Sequence, residues 1–355
     1  MSSATSWSPA ASSVGFLPPD NGSFTWNGQL DQLPLSFNIS DSQYRGEIQI
    51  DGSCWVNSFI HGSNGHSYYV AAQVMDYASQ LPGALPAYRA SLLDVTEPSL
   101  YRNYIRHDPE GSGLWTSEGD FRARYDGFGM EATGEDPLQG IHIYSSIAGI
   151  DFDLTFNFTS PVLLNAALGS YWVGGALGWQ WSLPRGATEG SLTIDGEKID
   201  VVSEKSFSWY DRQWGSLQAS INWVMVHFEE SDWLDISVMS VWYWTDPVNG
   251  PKEFATIRSS RNSRDSVVPI SVAASTTNVW TSPETGITYP QEWLLVLDDI
   301  EMVVKSPRPD QVIETPPGTI PPSQFSGYVD IIAKKAGHAS VKGFGAVDRV
   351  TIAEG

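Results

Sequence analysis

A single cysteine, Cys54, stands in 355 residues, which rules out an intramolecular disulfide framework and a cysteine-rich zinc site. It reads as a small buried hydrophobe. Basic side chains are scarce as well: 20 Lys and Arg against 41 Asp and Glu leave a formal net charge of -21. So few cations cannot neutralise a phosphate backbone or an anionic headgroup layer, so neither nucleic acid nor a membrane surface is expected as a partner. No apolar run is long enough to span a bilayer, and Met1 to Pro19 lacks a basic start followed by an apolar core. A soluble chain without membrane insertion is expected, cytoplasmic, or secretory if a signal peptide has been removed. Asn21, Asn38 and Asn157 head Asn-X-Ser/Thr sequons that would matter only in the second case. Histidines 61, 66, 107, 142, 227 and 338 show neither HExxH nor a two-His carboxylate spacing, and no metal is expected. There is no Gly-X-Ser-X-Gly elbow, phosphate loop or Gly-X-Gly-X-X-Gly turn, so nothing in the sequence supports a nucleophilic hydrolase or a cofactor.

Aromatic rings are abundant: 15 Trp, 14 Tyr and 14 Phe in a chain with only 17% charged residues. That composition suits wide pleated surfaces and ring-lined cavities, and the partner it favours is an apolar small molecule. Short strand-like runs follow one another with Gly, Asn, Asp and Pro between them, and no long amphipathic helix intervenes. Trp55 to Ile60 alternates, turns at Gly62 to Gly65 and returns through Tyr68 to Met75 as a hairpin. Phe152, Leu154, Phe156 and Phe158 share one face, with Asp151, Asp153, Thr155 and Asn157 opposite. A ring-and-glycine run, Tyr171 to Trp181, precedes a second hairpin around Asp195-Gly196. An all-β chain follows, with residues 1–19 disordered, an N-terminal β domain over 20–203 and a C-terminal β domain over 204–355.

The densest stretch is Ser208-Trp209-Tyr210-Asp211-Arg212-Gln213-Trp214-Gly215. In a strand, Trp209, Asp211 and Gln213 point one way and Tyr210, Arg212 and Trp214 the other. A carboxyl walled by rings has its pKa raised by desolvation and lowered by a neighbouring cation, so Asp211 is either an acid of the site or a structural tie. Gln213, Tyr68 and Lys342 are further candidate catalytic donors. Trp55, His61, Trp179, Trp181, Trp209, Trp214 and Trp223 are candidate walls of the binding site. Asp51, Asp235 and Glu292 read as solvated strand acids.

This octapeptide, preceded by Gly190 to Gly196, resembles the central signature of the AttH-like proteins related to carotenoid 1,2-hydratase. Trp55 to Tyr68 resembles the family's early segment. Tyr289 to Trp293, Gly327 and Gly343 to Val350 resemble its closing strands. The resemblance implies two tandem lipocalin-like β-barrel or sandwich domains with a ligand pocket between them. It also implies either a hydratase acting on a polyene or a fungal pericyclase. The decalin-forming branch has lost the Asp-Arg-X-Trp-Gly ending that this chain keeps. The reading that the resemblance favours is a cofactor-independent pericyclase of fungal secondary metabolism that catalyses a (hetero-)Diels-Alder cycloaddition, such as joining a tropolone quinone methide to a humulene-type terpene. A hydratase with Asp211 as acid and a non-catalytic carrier of an apolar ligand are the alternatives.

Overall fold

Period-two alternation of large apolar and polar residues dominates the computed structural model, which describes residues 35–43, 52–76, 85–108, 121–136, 138–173, 176–215, 220–246, 250–315 and 323–350. The expected disordered segment 1–19, the sequon at Asn21 and Asp51 lie outside these residues. Strands form a 13-stranded sheet, a 10-stranded sheet and a two-stranded ribbon. The first sheet curls into a half-barrel and the second into a nearly closed barrel, a pair of lipocalin-like units.

Both expected hairpins are present. Gly52–His61 pairs antiparallel with Ser67–Asp76. Ala176–Ile194 turns at Asp195 and Gly196, both with positive φ, into Glu197–Asp200. Such a pair of left-handed residues matches the twist of the flanking strands. Ile150–Phe158 buries every second residue, as its alternation requires.

The signature strand, Phe207–Gly215, runs between Gly52–His61 and Ala176–Ile194 in the first sheet. It follows the division expected after residue 203, yet its hydrogen bonds are to N-terminal strands. The second sheet begins with Ile221–Phe228, which pairs with Val238–Asp246 and with Val341–Val350.

Because successive side chains alternate in direction, each sheet contributes one face to its own interior and the other to a shared seam. Tyr210, Trp214 and Trp181 join the interior of the half-barrel. Val224 and Val226 join that of the barrel. The seam between them takes Trp55, Tyr69, Tyr171 and Trp209 from one sheet and Trp223, Met225, Trp242, Trp244 and Tyr328 from the other.

Candidate active site at the seam of the two sheets

Asp211 stands in the middle of that seam. Register aligns Ser182, Asp211, Trp55, Gln73 and Arg89 across four neighbouring pairs of strands on one face. Side chains so placed are direct cross-strand neighbours. The facing sheet aligns Phe254, Trp242, Trp223 and Asp348 in the same manner. The Trp55 and Trp223 rings meet at 5.1 Å between centroids, and Trp209 lies 6.1 Å from Trp223.

A directed chain of hydrogen bonds ends on Asp211. Trp223 Nε1 donates to Ser240 Oγ at 2.8 Å, Ser240 Oγ to Asn165 Oδ1 at 2.6 Å, and Asn165 Nδ2 to Ser182 Oγ at 3.2 Å. Ser182 Oγ then donates to Asp211 Oδ1 at 2.5 Å, and Gln180 Nε2 adds a bond to the same oxygen at 3.0 Å. Two donors on Oδ1 fix the carboxyl plane. Asp211 is 2% exposed, and its Oδ2 makes no hydrogen bond among the described residues. Burial pushes its pKa up to about 7, while the bonds from Ser182 and Gln180 pull it back and the charge of Asp348 adds to the rise. The Trp209 indole N–H also acts on the carboxyl, although it too lacks an aligned hydrogen bond among the described residues.

A second carboxyl faces the seam from the other sheet. Asp348 Oδ1 lies 3.9 Å from Arg89 Nη2, too far for a hydrogen bond. Burial pushes Asp348 up to about 6 against the pull of Arg89. The Arg89 guanidinium sits 5.4 Å over the Trp55 ring and its Nε donates to Gln73 Oε1 at 2.5 Å. Buried polar atoms without partners are rare in native proteins, because each costs about 1–3 kcal/mol. Here Nε1 of Trp55, Trp242 and Trp244, Oδ2 of Asp211, Nε2 of His227 and Oδ1 of Asp348 all lack one among the described residues. These six lie along the seam, which makes it the candidate site, whereas others such as Tyr289 Oη and Trp293 Nε1 lie in the barrel interior.

The candidate residues divide between the two faces. Trp55, Trp209, Trp223 and Asp211 meet at the seam, and Gln213, on the Asp211 side of its strand, is half-buried between Ser53 and Gln180. Trp179, Trp181 and Trp214 lie on the opposite face, with Trp179 stacked on Trp214 at 6.0 Å and an interplanar angle of 3°. Tyr68 also packs in the half-barrel interior, where its hydroxyl accepts from Asn64 Nδ2 at 2.8 Å. The reason is parity: Tyr69, not Tyr68, shares the seam face with Gln73. Lys342 is exposed near the start of its strand. His61 is half-buried at the end of its own, beside a small cleft shared with Tyr68 and Phe59. Asp235 accepts from Ser259 Oγ at 2.7 Å and from Arg261 N at 3.0 Å, which assigns it to a turn. Among the described residues no group of three or more His, Cys, Asp or Glu is placed to hold a metal.

Sequence reasoning missed Gln180, Ser182, Asn165, Ser240 and His227. The first two alternate with Trp179 and Trp181, so the period that assigns the rings to one face assigns these polar groups to the other. His227 shares its strand face with Trp223 and Met225 and was legible by the same rule.

A model of the AttH-like family matches residues 89–344. Kievitone hydratase from Fusarium solani subsp. phaseoli is 30% identical over 305 residues, covering 80% of this chain and 80% of that protein. Dehydratase asqC from Emericella nidulans is 27% identical over 327 residues, covering 90% of this chain and 89% of that protein. The crystal structure of kievitone hydratase from Nectria haematococca superposes with a TM-score of 0.79 at 26% identity, over 94% of this chain and 97% of that one.

Proposed function

We propose that this chain, which belongs to the AttH-like family and is homologous to two fungal enzymes, adds water to, or removes it from, an apolar unsaturated small molecule. The observation that carries this reading is the Asp211 carboxyl: buried, raised to about 7, fixed through Oδ1 and unpaired at Oδ2. A neutral carboxyl in an apolar wall is the group that alkene protonation requires. The names of the two relatives describe a hydratase and a dehydratase, in keeping with that chemistry.

In the hydration direction the proton on Asp211 Oδ2 passes to one alkene carbon, and the π pair forms the new C–H bond. The adjacent carbon becomes a cation. Indole faces of Trp55, Trp209 and Trp223 stabilise it. A water oxygen supplies the lone pair for the C–O bond, and the proton released from that water returns to the Asp211 carboxylate. Dehydration runs the same steps backwards: Asp211 protonates the hydroxyl, the C–O bond breaks, water leaves, and the carboxylate takes the neighbouring C–H proton. A group with a pKa near neutrality serves both directions.

A second reading, the hetero-Diels-Alderase, draws on a different observation. A cleft of about 1050 Å³ opens beside Phe207, His227 and Phe344, large enough for two reacting partners. Cycloaddition needs their positioning and no proton from Asp211. Incubation in 18O-labelled water with a panel of apolar alkenes, tertiary allylic alcohols and quinone-methide precursors separates the readings. A hydro-lyase incorporates label into a hydration product or converts an alcohol to an alkene, and Asp211→Asn abolishes this. Cycloadduct without label, formed equally by Asp211→Asn, would replace the hydro-lyase reading with the pericyclase one.

A further inference from the structure

The large cleft carries a feature that proton transfer at Asp211 leaves unused. His227 is 6% exposed, lines this cleft, and its Nε2 has no hydrogen-bond partner among the described residues. Its ring is boxed by Phe207 at 4.6 Å, Trp209 at 5.5 Å, Phe344 at 5.8 Å and Phe59 at 5.9 Å. Phe207 and Phe344 are half-buried and also line the smaller cleft, so these two rings border both openings.

We propose that this cleft takes the oxygen-bearing end of the substrate, a hydroxyl or carbonyl oxygen on a flat ring, with His227 Nε2 as its hydrogen-bond partner. The apolar remainder then points along the strand from Phe207 towards Trp209 and Asp211, which are buried behind the cleft lining. Aromatic walls select a flat ring because offset and edge-to-face contacts hold it in place. Burial and the nearby charge of Arg185 push His227 down to about 3, so the imidazole is neutral at working pH. A neutral imidazole offers Nε2 as donor or acceptor according to tautomer, which suits either oxygen function.

The strand sets a length. Phe207, Trp209 and Asp211 are alternate residues on one face, roughly 6.6 Å apart per step. His227 lies beside the first two rings, so the oxygen anchor and the reacting carbon are separated by roughly 7–13 Å. A substrate that reaches both groups therefore carries its oxygenated ring and alkene about that far apart. This inference rests on the proposed reading only for the destination of the apolar end, since recognition at His227 is measured without turnover.

The test is isothermal titration of the full chain with 2-naphthol, 2-acetylnaphthalene and 2-ethylnaphthalene. At least one oxygenated probe binds about 10-fold tighter than the hydrocarbon, the factor that one buried hydrogen bond supplies. The hydroxyl and carbonyl arms identify which oxygen function is preferred. His227→Phe, with an unchanged circular dichroism spectrum, brings all probes within about 2-fold, and His227→Gln restores part of the preference. Equal binding of the three probes by the native chain, binding of none, or a preference that survives in folded His227→Phe would each overturn the assignment. A failed hydration assay with an intact probe preference would instead sink the Asp211 chemistry and leave this site standing.

Discussion

Asp211 is held in a setting that separates its two oxygens. Ser182 and Gln180 occupy Oδ1, whereas Oδ2 has no hydrogen bond among the described residues. Asp211→Asn keeps an acceptor for both donors but cannot release a proton. Hydration or dehydration should fall by at least about 10²-fold while the melting temperature at pH 7 holds or rises. Stability also depends on pH in a definite sense. A carboxyl whose folded pKa is raised from 3.8 to about 7 binds more protons folded than unfolded between those values. Its contribution to stability is therefore fully present below the unfolded pKa and is lost as pH rises through the folded one. Asp348, raised to about 6, adds a term of the same sign over a lower window. Melting temperature should fall between pH 4 and pH 8 (roughly those two limits) and fall less in Asp211→Asn. An unchanged slope would show that the carboxyl is already ionised in the fold. At this scale the sequence disclosed the acid through the polar-aromatic density of its motif. It did not disclose the relay through Asn165 and Ser240, because Asn165 reaches Ser182 from beside a paired strand 17 residues away and Ser240 reaches Asn165 from the other sheet.

The strand that carries Asp211 has a second function on its reverse side. Tyr210 OH donates to Gln43 Oε1 at 2.5 Å, and Arg212 Nε donates to the Ser42 carbonyl at 2.7 Å. Trp181 Nε1 reaches Ser42 Oγ at 2.8 Å, and Phe37 packs edge-on to Trp214 at 4.9 Å. The short helix Ile39–Ser42 and its flanks thus plug the half-barrel, secured by the even-numbered face of the motif. Arg212→Met leaves the Ser42 carbonyl unpaired and should lower stability by about 2–3 kcal/mol in urea denaturation. Hydro-lyase activity per folded molecule should be retained. Gly215 closes the motif at φ 94°, where a Cβ would lie 2.6 Å from the Leu177 carbonyl oxygen. Hairpins were legible at this scale because Asp-Gly and Gly-rich turns are local signals. Ala176–Ile194 was not read as one strand. A register shift between Leu183 and Gly186, around Pro184, lets it pair with the signature strand on either side of the shift and with Ile150–Phe158 only beyond it. Pro inside a strand is tolerated at such an irregularity.

Across the whole molecule, the two sheets are joined by the ring-rich seam and by ties at two places along it. Arg258 donates to the carbonyls of Pro161 at 2.9 Å and Val162 at 3.1 Å. Arg308 donates to those of Pro98 at 2.7 Å and Ser99 at 2.8 Å. Trp223→Ala removes a ring that touches Trp55, Trp209 and Trp242, and should cost about 3–5 kcal/mol of unfolding free energy in a denaturant titration. A loss below about 1 kcal/mol would mean that the seam is not packed as described. The all-β class and its two halves were legible from strand spacing and turn signals. The pairing of Phe207–Gly215 with Gly52–His61 was not, since about 150 residues separate strands that become neighbours and no local signal records such a partner. The site depends on that long-range pairing, which sets Asp211 beside Trp55.

A carbon-13 NMR titration of the native chain, labelled at the aspartate carboxyl carbons, interrogates the buried acid most directly. A resonance that titrates with a midpoint near 7 and is missing from Asp211→Asn is expected. If removing Asp211 deletes only a resonance that titrates below about 5, in the range of an ordinary aspartate, the seam holds an ionised carboxylate and the proton donor lies elsewhere.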